Sequence, residues 1–288
     1  MDESAKIYLG IALMIVMVGM GLSLTTADFK RIFLYPKAVF IGLFNQIIIL
    51  PLLAFALVSL LNIRPELAVG LMILAVCPGG PTSNLITHLC KGDTALSVTL
   101  TALSSIITLF TIPFFLEWNL AHFVKNSTPI VINRFDVFLN LSLVVLLPVL
   151  VGLAIKHYKP AFADRMDKPV KIASALILLL MIIGLSVKES DKIVPYFAEV
   201  GISTLALNVL SLIVGFYSAY ALGLSKAQSL TISIETGIQN GTLAIAIALG
   251  ILKNSEFAIP AAVYSLIMFL TAFVLIGMSN IKRNKQTA

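Results

Sequence analysis

The chain has 288 residues, of which 59% are hydrophobic and 12% are charged, and its mean hydropathy is +1.01. This composition excludes an ordinary water-soluble domain and is typical of a protein that crosses the membrane several times. In a soluble protein the net charge of +6 would suggest nucleic acid binding, but in a membrane protein basic residues first indicate topology, so no nucleic acid partner is expected.

Apolar segments of about 18 to 24 residues recur along the chain and are separated by short polar joints. Each segment is long enough to cross the hydrocarbon core as a helix, and the joints leave no room for a second globular domain. We therefore predict an all-α, polytopic membrane protein with a single transmembrane domain over residues 1–288. The predicted spans are 7–26, 38–61, 67–89, 94–116, 137–155, 170–187, 200–222, 229–252 and 258–281.

The distribution of lysine and arginine predicts how these spans are oriented. With the N-terminus outside, thirteen of the twenty basic residues fall in inner joints and the other seven in outer joints. Cytoplasmic joints carry the excess of basic residues, so this distribution favours an outer N-terminus and a cytoplasmic C-terminus in the cell (inner) membrane. The bias is strongest in the 156–171 joint and in the C-terminal tail, whose basic residues also have the chemistry to contact lipid headgroups.

Two polar pairs stand out in the first half of the chain. The second span carries Asn45 and Gln46 inside an apolar run, and the fourth carries Ser97 and Thr101 four residues apart on one helix face. These side chains could serve as oxygen ligands. Their alternative roles are hydrogen bonds to the backbone of their own helix or to a neighbouring helix.

The third span is interrupted by the sequence Cys-Pro-Gly-Gly-Pro-Thr-Ser-Asn at 77–84. Two prolines around two glycines are expected to break the helix, although a passive kink is the alternative. A broken helix leaves carbonyl groups at the end of its first half and N–H groups at the start of its second. Carbonyl oxygens suit a hard cation, and the N–H groups with the positive end of the helix dipole suit an anion.

The eighth span contains the sequence Glu-Thr-Gly-Ile-Gln-Asn-Gly at 235–241, which we interpret as a helix broken around an ion. Of the fourteen acidic residues, Glu235 alone lies inside a predicted span, and apart from Lys171 at the very start of the sixth span no basic residue lies inside a span to pair with it. Its counter-charge is therefore expected to be a proton or a bound cation. A single carboxylate among neutral oxygens favours a monovalent cation over calcium, and the lack of a His or Cys cluster argues against zinc or copper.

The two interrupted spans occupy corresponding positions, as the third of the first four and the eighth of all nine. Paired interruptions of this kind indicate a binding site formed by inverted repeats. We place the repeats at about 7–116 and 137–281, with the first repeat lacking its opening helix.

The motifs at these positions resemble those of the bile acid:sodium symporter family. They are C-P-G-G-x-x-S-N at 77–84, K-G-D-x-A-L-S at 91–97 and E-x-G-x-Q-N at 235–240, and the resemblance covers nearly the whole chain. It implies a core domain (38–116 and 200–281) and a panel domain (7–26 and 137–187), with the two broken helices crossing in the core. Family members typically have ten helices, and this chain is similar in topology to the nine-helix vertebrate bile acid carriers.

The resemblance also implies two sodium ions and a site for an organic anion. The residues that match the first sodium site are Ser83, Asn84, Ser97, Thr101 and Glu235. Those that match the second are Gln46, Glu235 and Gln239, with the backbone carbonyls of Thr236 and Ile238. The substrate contacts implied are Pro81, Thr82 and Asn240, and Pro81 departs from the polar residue that relatives often carry there because proline cannot donate a hydrogen bond.

The function implied is symport of sodium with an organic anion, such as a bile acid or a small carboxylate like pantoate, by alternating access. Two alternatives remain open. Glu235 could carry a proton in place of sodium, or the protein could be a membrane-embedded enzyme. The enzyme is disfavoured because the chain lacks HExxH and paired intramembrane aspartates, and because a Ser83 nucleophile has no histidine at its depth. Nothing in the sequence requires a protein partner.

Overall fold

The computed structural model describes residues 3–124 and 132–284. All regular elements in these two ranges are helices, which confirms the all-α class, and the predicted joint at Lys125 and the tail at Lys285 lie outside them. The helices are α1 Glu3–Leu22, α2 Thr26–Leu34, α3 Pro36–Leu60, α4 Pro65–Val76, α5 Pro81–Leu89, α6 Thr94–Phe123, α7 Arg134–Tyr158, α8 Pro160–Lys188, α9 Ser190–Ala221, α10 Lys226–Gly237, α11 Gly241–Ile251 and α12 Ile259–Asn284.

Six helices in the described part of the chain are long and apolar enough to cross a membrane. They are α3, α6, α7, the Lys168–Lys188 part of α8, the Val194–Ala221 part of α9, and α12 with the short turn before it. Three further apolar segments are shorter, namely Ile7–Leu22, α4 and α11. The protein is therefore a polytopic membrane protein, while the number of nine spans stays a prediction.

Several boundaries differ from the predicted spans: α6 extends past residue 116 to Phe123, α9 begins at Ser190 and not at 200, and two further differences concern the first span and the 156–171 joint. The first span was expected to reach residue 26, but α1 ends at Leu22 and a separate short helix follows. Asp28 stabilises the start of that helix, because its carboxylate accepts hydrogen bonds of 2.7 Å from both the backbone N–H and the hydroxyl of Thr25. The 156–171 joint is largely helical, since α8 begins at Pro160, a residue that suits the first helical turn.

Helix α4 lies at the centre of the molecule. Every residue from Leu67 to Val76 is buried, so this helix is apolar on all sides and enclosed by other helices. By contrast, α8 leaves an apolar face exposed, which includes Ile172, Leu176 and Leu180. An exposed apolar face along a helix of spanning length is the surface expected to contact lipid.

Helices α1, α7 and α8 pack against one another. The first two approach so closely that a Cβ atom on Gly21 would lie 2.2 Å from the carbonyl oxygen of Val149. A Cβ on Gly152 would likewise lie 2.3 Å from the carbonyl oxygen of Val18. Small residues thus permit contact between the two backbones. These three helices correspond to the predicted panel, and the division into core and panel stays a prediction.

Candidate cation and substrate site

Both interrupted segments are broken helices, as predicted, and their breaks contact each other. Helix α4 ends at Val76 and α5 begins at Pro81, while α10 ends at Gly237 and α11 begins at Gly241. The backbone N–H of Asn240 donates to the carbonyl of Pro78 over 3.1 Å, and Gly79 pairs with Gln239 in an isolated antiparallel bridge. Four free helix ends therefore meet in the interior, which a passive kink would not produce.

The first predicted cation set is assembled around Glu235, whose residue is only 2% exposed. The Ser97 hydroxyl lies 3.0 Å from Glu235 Oε2, and the Thr101 hydroxyl donates to Glu235 Oε1. Asn84 Oδ1 lies 2.8 Å from the Ser97 hydroxyl and 3.2 Å from the Thr101 hydroxyl. The Ser83 hydroxyl donates to the carbonyl of Gly80 over 2.8 Å, next to the same carboxylate. Side chains from α5, α6 and α10 thus converge.

This cluster contains more acceptors than donors. The hydroxyl groups of Ser97 and Thr101 each lie between two acceptor oxygens, but each has a single hydrogen to donate. No lysine or arginine of the described residues forms an ion pair with Glu235. A buried carboxylate is costly unless a positive charge compensates it. The cluster has the chemistry of a site for a small cation or a proton.

A glycine makes room for the carboxylate. A Cβ atom on Gly79 would lie 2.3 Å from Glu235 Oε1, so any larger residue would displace the carboxylate or the backbone. The adjacent Gly80 is different, because its Cβ would lie an ordinary 3.6 Å from the nearest atoms of Asn240. Of the two consecutive glycines, Gly79 is the one that permits the close approach.

The second predicted cation set is brought together in part. Gln46 Nε2 donates to Gln239 Oε1 over 2.8 Å and lies 2.9 Å from the carbonyl oxygen of Cys77. Gln239 Nε2 lies 2.8 Å from the carbonyl oxygen of Thr236 and 3.3 Å from that of Glu235. The carboxylate of Glu235 faces the first set, so only its backbone carbonyl reaches the second. Ile238 is fully buried next to these groups.

Gln46 lies in a π-helical turn, Asn45–Ile49, within α3. Pro51 follows this turn and has no N–H that could donate to the carbonyl of Ile47. The missing hydrogen bond explains why the helix changes locally from α-helical to π-helical bonding. Pro51 is therefore a signal in the sequence for the irregular turn that holds Gln46.

The predicted substrate residues lie around the same crossing. Pro81 is buried at the start of α5, and Thr82 beside it is half-buried. Asn240 is 5% exposed, and its Oδ1 accepts the N–H of Leu243 over 3.0 Å, which caps α11. Its Nδ2 has no partner among the described residues. The crossing therefore offers an unused buried donor beside two helix N-termini, which is the chemistry that an anion requires.

Two residues at the break were not predicted. Asn208 of α9 and Tyr264 of α12 both donate to the carbonyl of Gly237, over 2.7 and 2.9 Å. An asparagine inside the seventh apolar span was a visible signal for Asn208, as it was for Asn45. No local pattern distinguished Tyr264.

Known proteins resemble this chain over most of its length. The model of the Sodium Bile acid symporter family matches residues 10–196. A probable chloroplastic sodium/metabolite cotransporter of Arabidopsis thaliana is 32% identical over 271 residues, which are 93% of this chain and 65% of the relative. The chain thus spans just under two thirds of that plant protein.

Two other relatives are covered more fully. An uncharacterized sodium-dependent transporter of Bacillus subtilis (strain 168) is 30% identical over 90% of this chain and 78% of its own length. The ileal sodium/bile acid cotransporter of Homo sapiens is 31% identical over 93% of this chain and 77% of its own length. With a family model that matches residues 10–196 and relatives of this similarity, the chain belongs to the sodium bile acid symporter family.

Proposed function

We propose that this protein is a secondary transporter that couples the entry of sodium to the movement of an organic anion. The observation that carries the proposal is the buried Glu235 carboxylate, surrounded by hydroxyl and amide oxygens with too few donors to satisfy them. The names of the relatives, which refer to sodium, metabolites and bile acids, support the same choice of ion and of substrate class.

Sodium would bind through the side chains of Ser83, Asn84, Ser97, Thr101 and Glu235 in the first set. A second ion would bind among Gln46, Gln239 and the carbonyls of Thr236 and Ile238. In the second set both amide nitrogens now donate to oxygens, so ion binding would require the Gln239 amide to turn its oxygen inward. Neutralising Glu235 would stabilise the contact between the two breaks and permit the core to move against the panel.

The anion would bind beside the cation. A cavity of about 480 Å³ lies between α1, α7 and α11, and a second of about 630 Å³ reaches Asn84 from the opposite end of the molecule. The described lining of the second cavity includes Lys156, Lys168 and Lys171, together with Asp164, which pairs with Lys156. Lysine side chains at such an opening attract an anion. Asn84 belongs to both the cavity and the cation set, which would link the two bound species.

The lysine-lined cavity is on the side that the basic residues predict to be cytoplasmic. We therefore propose a multi-pass protein of the cell membrane with an outer N-terminus and an inner C-terminus. The candidate substrates are bile acids and smaller carboxylates such as pantoate.

The function is tested by comparing the thermal stability of the purified protein in sodium and in potassium at equal ionic strength. A ligand that binds only the folded state raises its stability, so the unfolding temperature is expected to be higher in sodium. Equal unfolding temperatures across the whole sodium titration would contradict sodium coupling.

Coupling to protons is the second candidate, because a proton on Glu235 would also supply the missing donor. Uptake into proteoliposomes separates the two. Under sodium coupling, uptake follows the sodium gradient at fixed pH, whereas under proton coupling it follows the pH gradient at fixed sodium.

Replacing Lys168 by glutamine is expected to raise the substrate concentration for half-maximal uptake by about three- to tenfold, or roughly 0.7–1.4 kcal/mol, because one charge that attracts the anion is lost. The effect should shrink at high salt, where exposed charges are screened. Uptake of labelled cholate and pantoate provides the measurement. Lys159→Gln is the matched control, because this exposed lysine lies in the same joint but outside the cavity lining. Equal effects of both variants would contradict a role for the cavity.

A further inference from the structure

The carbonyl of Gly237, which ends the first half of the broken helix, is held by two side chains from other helices. Asn208 Nδ2 lies 2.7 Å from this oxygen and the Tyr264 hydroxyl lies 2.9 Å from it. The same Asn208 nitrogen lies 3.2 Å from the Tyr264 oxygen, and both residues are 0% exposed. The three groups form a buried triangle, which we call the Gly237 clamp.

The clamp differs from the other buried polar groups of α9. Thr204 and Ser211 donate to carbonyls of their own helix, over 2.7 and 2.8 Å, as such residues commonly do in membrane helices. Asn208 instead reaches α10, and its Oδ1 has no partner among the described residues. An unsatisfied buried amide oxygen costs free energy. The hydrogen bonds that the Asn208 Nδ2 group donates must offset this cost.

Close packing brings α9 to the break. A Cβ atom on Gly237 would lie 2.5 Å from Leu212 Cδ2, so the absence of a side chain there allows α9 to press directly on the end of α10. The Ser233 hydroxyl adds a hydrogen bond of 2.6 Å to the carbonyl of Leu212, which joins the same two helices one turn earlier. The clamp therefore lies where α9 and α10 are closely packed.

The orientation of one carbonyl determines that of the next. Ile238 has an extended backbone, with φ −111° and ψ 103°. In extended chain, consecutive carbonyl groups point in opposite directions. Because the clamp directs the Gly237 carbonyl toward α9 and α12, the Ile238 carbonyl is turned away from those helices. The carbonyl of Thr236 already accepts a hydrogen bond from Gln239, which belongs to the second cation set.

We propose that Asn208 and Tyr264 are positioning residues, which orient the backbone carbonyls at the end of α10 for the second cation. Neither side chain contacts the ion itself. They keep the Gly237 carbonyl out of the site and thereby direct the Ile238 carbonyl into it. This inference rests on the proposed sodium coupling. It adds Asn208 and Tyr264, which lie outside the E-x-G-x-Q-N motif, to the residues that binding of the second cation requires.

The test uses Tyr264→Phe, which removes only the hydroxyl, and Asn208→Leu, which removes the amide with little change in volume. Thr204→Val is the control, because it removes a buried hydroxyl from the same helix that bonds only within that helix. Two quantities are measured for each purified variant: the sodium concentration that gives half of the maximal thermal shift, and the unfolding temperature in potassium.

Tyr264→Phe is expected to raise the half-saturating sodium concentration by about fivefold, and Asn208→Leu by about tenfold or more, while the control leaves it unchanged. The unfolding temperature of Tyr264→Phe in potassium should remain close to that of the unaltered protein. If both clamp variants lower the unfolding temperature equally in sodium and potassium, with the same half-saturating sodium, the clamp is only structural and the inference is wrong. If the unaltered protein itself shows no sodium response, the proposed function and this inference fail together.

Discussion

Replacing Glu235 by glutamine is expected to abolish the sodium-dependent gain in stability and sodium-driven uptake. Glutamine has nearly the same shape but no charge, so it removes the attraction for the cation from the centre of the first set. In the unaltered protein, sodium at a hundred times its Kd should contribute about 2.7 kcal/mol. For a chain of this size that corresponds to an increase in unfolding temperature of roughly 5 °C, which the variant should lack.

The same substitution has a second effect, of opposite sign, in potassium. Without sodium, the Glu235 carboxylate is buried with no basic partner among the described residues, which is costly. Glu235→Gln removes that cost, so the variant should be at least as stable as the unaltered protein in potassium. A residue with a merely structural role would lower stability in both salts.

The control is Glu66→Gln, which alters a half-buried carboxylate in the first turn of α4, ten residues before the break at Val76. It should leave the sodium response unchanged. Uptake by Glu235→Gln with the original dependence on sodium would refute the assignment of the coupling site. Proton coupling would be indicated if the unaltered protein responds to pH but not to sodium and Glu235→Gln loses uptake.

Gly79→Ala is expected to have the second largest effect, through crowding instead of charge. The added methyl group would lie 2.3 Å from Glu235 Oε1, well inside van der Waals contact. The carboxylate or the break must therefore move, and the oxygens of the first set would separate. We expect a loss of at least tenfold in sodium affinity and a decrease of about 1–3 kcal/mol in the free energy of unfolding, measured by the same sodium titration.

The neighbouring Gly80→Ala is the matched control. It adds the same methyl group to the same break, but the nearest atoms belong to Asn240 at 3.6 Å, an ordinary contact distance. Neither glycine has a positive φ, so backbone strain does not distinguish them. Gly80→Ala should keep its sodium affinity. Equal losses of sodium affinity in both variants would mean that any methyl group added at the break weakens binding. The close contact with the Glu235 carboxylate would then not be the cause.

The sequence by itself determined the class of protein and the position of the breaks. A mean hydropathy of +1.01 indicates a membrane protein, because a chain with so many apolar side chains cannot keep them away from water without a lipid bilayer. The break after Val76 could be predicted because proline and glycine act on the backbone locally, whatever surrounds them. Glu235 could be identified because a single acid among apolar residues is costly in any fold.

Only the tertiary structure decided which oxygens meet. Ser97 and Glu235 are 138 positions apart, and Gln46 and Gln239 are 193 apart, so their contacts depend on how the helices pack. The same packing turned the Glu235 carboxylate toward the first set and left the second set only its backbone carbonyl. It also placed Asn208 and Tyr264 on the Gly237 carbonyl, because a partner for a free helix end can come from any neighbouring helix, and sequence distance carries no information about which one.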